Sequence, residues 1–194
     1  MAREQSKQQQ SIIQAVDRLI YEKGFNVMSF KDIAEACGLS KGNLYYYFKT
    51  KDELLKAVID YRLDNMRNML QAWEQQYPTV LERLQRYVQI MINETSQVIY
   101  YGCPMGSLNI ELAKGQPELQ AISRAQFDLF RSWLKKQFKQ LLADKAAEHY
   151  AMRLMARTQG VVVIAQAYQD KRFIKREAEE INQWLVDLLD GLAK

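Results

Sequence analysis

Apolar positions recur at three- and four-residue intervals along almost the whole chain, and the strict alternation that marks a half-buried strand does not occur. The pattern predicts an all-α fold of about nine helices. Ile12, Ile13, Ala15, Val16, Leu19 and Ile20 form the stripe of the first, over Ser6–Lys23, which Gly24 ends before Phe25 turns the chain inward. The second covers Phe30–Cys37, with Ser29 as its N-cap, Phe30, Ile33, Ala34 and Cys37 on one face, and Gly38 just past its end. Ser40 caps a third over Lys41–Phe48, which Leu44 and Phe48 anchor to the core. Thr50 and Glu53 read as a capping box that opens a fourth helix, Lys51 to about Gln76. At 1.5 Å per residue that helix is a rod of about 37 Å.

Pro78 suits the first position of a fifth helix, Pro78–Tyr100. Two glycines and a proline around Cys103 then break the chain within YYGCPMGSLNIELAKGQPEL, Tyr100–Leu119. A sixth helix resumes over Ser107–Lys114, and Pro117 opens a seventh over about Glu118–Ala143. The eighth, Ala143–Gln169, has a small-residue apolar middle from Val161 to Ala167. The ninth, Arg172–Leu192, carries a stripe of Ile181, Trp184, Leu185, Leu188 and Leu189. The organisation expected is an N-terminal three-helix domain, residues 1–50, followed by a helical domain over 51–194.

Two short helices joined by a glycine-containing turn make a helix-turn-helix unit. Its second helix gathers groups that suit DNA: Ser40, Lys41 and Asn43 at the N-terminal end, where backbone N–H groups favour phosphate, then Tyr45, Tyr46 and Tyr47, with Lys49 and Lys51 beyond. Each of these alone is equally compatible with a cap or a solvated face, so the ordered combination carries the weight. The pattern S-F-x-x-I-A-x-x-x-G-L-S-x-G-x-L-Y-x-x-F-x-x-K-x-x-L, Ser29 to Leu54, closely resembles the DNA-binding region of the TetR family of transcriptional regulators.

That resemblance implies a DNA-contacting set of Ser29, Lys31, Ser40, Lys41, Gly42, Asn43, Tyr45, Tyr46 and Lys51. Lys41, Tyr46 and Lys51 would hold the backbone, with Asn43 and Tyr45 near base edges. The partner would be double-stranded DNA carrying a near-palindromic operator, bound by a homodimer. The fourth helix becomes the connection to a ligand domain, and G-C-x-x-G-x-L-x-x-E-L, Gly102–Leu112, resembles the part of that domain beside the effector pocket. Met66, Met69, Tyr100, Tyr101, Cys103, Met105, Phe127 and Phe130 are the expected apolar and aromatic lining for a small-molecule effector, although all could equally be plain core. In the family the last two helices pair with their mates, which assigns Val161, Ile164, Tyr168, Trp184 and Leu188 to the dimer interface; the alternative is that they close the monomer core.

Composition agrees with a globular chain: 194 residues, 48% hydrophobic and 26% charged. The net charge of +4 is too small to argue for nucleic acid by itself. Its placement helps, since residues 1–51 hold eight Lys/Arg against five Asp/Glu. No apolar run approaches a membrane span, no signal-peptide core is expected, and two cysteines without framework spacing fit a cytoplasmic protein. A single His, with no metal-spaced cluster, phosphate loop or nucleophile elbow, predicts no enzyme, catalytic residue, metal or cofactor.

Cys103 has two readings. It is either a small buried apolar residue or a thiol at a helix N-terminus, which would make the chain a redox- or electrophile-sensing repressor. Cys37 reads as structural. Glu111 could pair with a ligand amine or orient a water. A dimeric binding protein without DNA, and an activator in place of a repressor, are further alternatives.

Overall fold

The computed structural model describes residues 2–192. Among them the chain is helical with no strand, as the periodicity predicts. The helices are α1 Ala2–Lys23, α2 Phe30–Ala36, α3 Lys41–Tyr47, α4 Lys51–Gln76, α5 Val80–Asn93, α6 Thr95–Tyr101, α7 Pro104–Ala113, α8 Pro117–Phe138, α9 Asp144–Tyr168 and α10 Lys171–Leu192. α5 and α6 together are the fifth predicted helix, interrupted at Glu94, so the described residues hold nine helices if that pair is taken as one.

Side chains competing for backbone groups explain where the boundaries differ from the periodicity. The Thr95 hydroxyl donates to the carbonyls of Met91 (3.0 Å) and Ile92 (2.7 Å), which ends α5 two residues earlier. α5 starts at Val80 and not at Pro78 because Thr79 and Glu82 form a reciprocal capping box. α7 starts three residues before the predicted Ser107, since the Cys103 sulfur accepts from the Gly106 amide (3.4 Å) and Pro104 takes the first position, where no N–H is needed. α8 stops at Phe138, short of Ala143, in a tight turn where Leu141 N–H donates to the Phe138 carbonyl. Asp170 accepts from the amides of Arg172 and Phe173 and so opens α10 earlier than predicted.

The chain divides into two compact units, residues 1–65 with 107–126, and residues 66–106 with 127–194. The first holds α1–α3, most of α4 and α7, and the start of α8. Its buried residues include Ile12, Val16 and Ile20 of α1, Ile33 and Ala34 of α2, Leu44 of α3, and Leu54, Leu55, Val58 and Ile59 of α4. Arg62 of α4, nearly buried, donates to Asp17 of α1 at 2.6 Å, so the cation is paired inside the unit.

The second unit is built on aromatic pairs. Trp73 meets Trp133 edge-on (5.8 Å between centroids) and Tyr87 meets Phe130 likewise (5.1 Å). Arg83 stitches its margin, donating to the carbonyl of Tyr77 (2.7 Å) and, at 3.4 Å each, to those of Glu74 and Pro78; these satisfy the C-terminal end of α4. The Tyr87 hydroxyl meets the Thr158 hydroxyl at 3.4 Å inside this core, and burial pushes the phenol up to about 12, which keeps it neutral.

At the start of α9, Asp144 pairs with Lys135 (2.9 Å) and Lys139 (2.8 Å). Hydrogen bonds from Lys139 and Lys135 lower its carboxyl from an ordinary 3.8 to about 2. Because the folded value is depressed, this contribution to stability is present above the ordinary value and is lost as pH falls toward 2. Urea midpoints of Asp144→Asn should therefore lie below wild type at neutral pH, and the two curves should converge on acidification through that window.

Candidate nucleic-acid interface

α2 and α3 have seven residues each, too short to be stable alone, so their ends and buried faces must hold them. Ser29 caps α2 by accepting from the Asp32 amide (3.2 Å), while the Asp32 carboxylate accepts from the Ser29 amide (2.7 Å). That reciprocal bond lowers the Asp32 carboxyl, the Ser29 hydroxyl being the largest cause. Gly38 adopts φ +65°, and Leu39 N–H closes the helix end on the Ala34 carbonyl (2.9 Å). Ser40 then caps α3 through the Asn43 amide (3.2 Å). Leu44 (0% exposed) and Phe48 (2%) pin α3 to the core, and the Lys49 ammonium closes its far end on the Tyr45 carbonyl (2.6 Å).

The outer face of α3 presents Lys41, Gly42, Asn43, Tyr45 and Tyr46, all exposed. Tyr45 stacks on Phe30 of α2 at 4.7 Å with 12° between the planes, and the Lys41 ammonium lies 5.8 Å from the Tyr45 ring. These contacts fix the angle between the two helices and aim Tyr45 and Lys41 along one edge. A Cβ built on Gly42 would meet nothing nearer than the Ser40 hydroxyl at 4.0 Å, so the protein itself does not require glycine there. The open space lies on the same face as the exposed polar groups.

The other expected DNA residues occupy different settings. Ser29 and Ser40 are exposed but serve as caps. Lys31 is exposed and faces Glu35 at 3.7 Å on its own helix. Lys51 is half-buried, and its ammonium donates to the carbonyls of Phe25 (2.8 Å) and Met28 (2.6 Å), with Asn26 at 3.5 Å, above the Phe25 ring. Burial draws its pKa below the usual lysine range, while Glu111, Asp52 and Asp32 act to raise it. In this conformation Lys51 is an internal clamp on the α1–α2 connection. Glu111 holds the same connection: its carboxylate accepts from the Phe25 (3.0 Å) and Asn26 (2.7 Å) amides. A role toward a ligand amine is not what this geometry provides.

In the second unit, the residues expected to line a pocket separate by burial. Met66, Met69, Cys103, Met105 and Phe127 pack, partly buried, against the core; Phe130 is core, and Tyr101 is intermediate. Tyr100 projects outward at 62% exposure, with its carbonyl accepting from Gln166 (3.2 Å). Of the expected interface residues, Val161 is buried within the core, Ile164 and Tyr168 are exposed, and Trp184 and Leu188 are intermediate. The sequence reading singled out the stretch Val161–Ala167, but not the continuation of its exposed strip (Val163, Ala167) back to Gly160, Ala156 and Met152, nor the arginines Arg153 and Arg157 that flank the Trp184 ring at 5.5 and 4.9 Å. The strip has a helical period, but its small residues carry little hydrophobic signal. Cys37 is half-buried and burial raises its thiol pKa, consistent with an unreactive packed residue.

Known proteins carry the same arrangement. The family model described as "Bacterial regulatory proteins, tetR family" matches residues 12–58. A regulator from Lactococcus lactis subsp. lactis, described as an uncharacterized HTH-type transcriptional regulator in the lacX 3' region, is 28% identical over 165 residues, 83% of this chain and 84% of its own. Other curated regulators are matched over less than half of their own length. Among solved structures, a TetR-family transcriptional regulator from Cytophaga hutchinsonii superposes with a TM-score of 0.81 at 21% identity, covering 95% of this chain and 96% of that one. The reduced form of E. coli NemR superposes at 0.79 with 16% identity, covering 90% and 95%. At these identities the structural likeness is one of fold. Among the described residues no group of His, Cys, Asp and Glu could hold a metal ion, and no helix is long and apolar enough to cross a membrane.

The clamp formed by Lys51 makes a testable distinction. Lys51→Ala should lower the stability of the folded protein by about 1–3 kcal/mol, as expected for a buried hydrogen-bonding group left without its partner. A thermal melt without DNA checks this; a lysine that met only phosphate would leave the midpoint unchanged.

Proposed function

Since the chain belongs to the TetR family of transcription regulators, which bind DNA and are not enzymes, we propose that it is a homodimeric repressor released from a near-palindromic operator by a small apolar or aromatic effector. Residues 1–50 read DNA, and residues 51–194 bind the effector and form the dimer. The observation that carries this reading is the outer face of α3, where Lys41, Asn43, Tyr45 and Tyr46 are exposed around a glycine whose Cβ position is open. Glycine costs a helix roughly 0.5–1 kcal/mol relative to alanine. An approaching phosphate backbone supplies a reason for it that the protein interior does not.

Lys41 and Tyr46 position the α3 helices on phosphates, and Asn43 and Tyr45 face base edges. Two such helices about 34–36 Å apart would enter successive major grooves. The exposed strip on α9 supports the dimer: Ala156, Gly160 and Ala167 let a second helix approach closely, and Met152 and Val163 give it apolar surface to cover. Met66, Met69, Tyr101, Met105 and Phe127 supply the contacts by which an effector favours one dimer geometry. It releases operator only as far as it binds the released state better, typically about 1–3 kcal/mol in coupling free energy.

A thiol-triggered repressor is the second reading. It is favoured by the place of the Cys103 sulfur at the start of α7, where it accepts from the Gly106 amide at 3.4 Å. If N-ethylmaleimide releases wild type and Cys103→Ser equally from DNA, the thiol is not the trigger.

Gly42→Ala is the sharpest test of the main reading. It should melt at or slightly above the wild-type temperature yet bind the operator, selected from random duplex DNA, at least about tenfold more weakly; unchanged binding would remove α3 from the interface. Lys41→Ala should weaken binding across sequences and lower the salt slope by about two, one for each protomer of the dimer.

A further inference from the structure

The Gly24–Met28 elbow between α1 and α2 does not satisfy its own backbone. Gly24 N–H closes α1 on the Ile20 carbonyl (2.9 Å), but the next two amides have no local acceptor and find one 86 and 85 residues away. Glu111 uses both carboxylate oxygens there, Oε2 for Phe25 (3.0 Å) and Oε1 for Asn26 (2.7 Å). Lys51 takes the carbonyls of Phe25 and Met28. Two opposite charges from α4 and α7 therefore grip the donors and the acceptors of one turn. Gly24 makes room for them: its φ is +88°, and a Cβ there would lie 3.2 Å from each Glu111 oxygen. Two of the elbow's side chains are buried, Phe25 at 3% and Met28 at 4% exposure, while Asn26 and Val27 face outward, so the turn is anchored between α1 and α2 at both ends.

Glu111 stands on a helix that starts at Pro104, directly after Cys103, and runs unbroken to Ala113. Glu111 lies seven positions beyond Pro104, about 10 Å along the axis at 1.5 Å per residue. The carboxylate is therefore presented from within a regular helix.

Resting on the regulator reading above, we propose that Glu111 is a positioning residue for operator reading: its paired hydrogen bonds to Phe25 and Asn26 hold the α1–α2 elbow, and with it the recognition unit, to α7. The residue touches no DNA. Its loss should leave the recognition helix folded and exposed but allow it to wander, so that the dimer no longer discriminates between half-site spacings.

The full-length protein and Glu111→Gln are compared in two measurements. Gln keeps the size but puts an amide donor where one oxygen accepted. In hydrogen exchange, the Phe25 and Asn26 amides should exchange at least about tenfold faster in the variant while α3 and α5 keep their protection. In binding to the selected operator, one base pair inserted between half-sites should weaken wild type about tenfold or more and the variant less than about threefold, because spacing reports how firmly the two heads are held. Gly24→Ala, which pushes a methyl group against the intact carboxylate, should reproduce both effects.

Unchanged exchange at Phe25 and Asn26, or a wild-type spacing penalty in Glu111→Gln, overturns the proposal. So does loss of protection across α2 and α3 with binding reduced equally at every spacing, since that describes a residue holding only the fold. If wild type selects no DNA sequence, the regulator reading fails on its own, and the exchange measurement alone decides whether Glu111 holds the elbow.

Discussion

Two seven-residue helices cannot fold by themselves, and the whole N-terminal unit answers that constraint. Each end of α2 and α3 is closed by a specific group: the Ser29–Asp32 box, Gly38, Ser40 and the Lys49 ammonium. Each inner face is held by fully buried apolar side chains, Ile33 and Leu44 foremost. The stack of Phe30 on Tyr45 then sets one helix against the other. With everything inward-facing engaged in this way, the residues left outside are those a DNA-reading surface needs. Order in the recognition helix comes from its surroundings, which makes it responsive to them.

The charges at the base of the unit extend the same logic. The elbow buries Phe25 and Met28, and charged groups distant in sequence pair its N–H and C=O groups. Lys51 and Glu111 thereby tie α1 and α2 to the helices that follow. The basic excess of residues 1–51 is consequently smaller at the surface than the sequence count suggests, because Lys51 points inward and Lys31 and Lys49 already have partners.

Much of this was legible in the sequence where local rules govern. The helical period, Ser29 and Ser40 as caps, Gly24 and Gly38 as stops, and Leu44 and Phe48 as anchors depend on neighbours within a few residues, and the structure has them as read. Boundaries moved where two local signals competed, as at Thr79–Glu82 against Pro78, or where a sulfur acted as a cap, as at Cys103. Less legible were roles that depend on distant partners. Nothing near Lys51 or Glu111 in sequence announces the elbow they share. Val161 and Ile164 look alike in the eighth predicted helix and lie only about 60° apart around its axis, so the period does not separate them, yet one is core and the other surface.

A homodimeric repressor of the kind proposed would present a pair of recognition helices to a single operator. The most direct test is a footprint of the purified full-length protein on the intergenic DNA upstream of its own gene, with the mass of the protein–DNA complex determined in the same buffer. The account predicts protection of a near-palindrome on one face of the duplex, two stretches about one helical turn apart, in a complex with an even number of protomers that dissociates steeply with salt. Uniform protection without sequence preference, or a single protected half-site bound by a monomer, would contradict it.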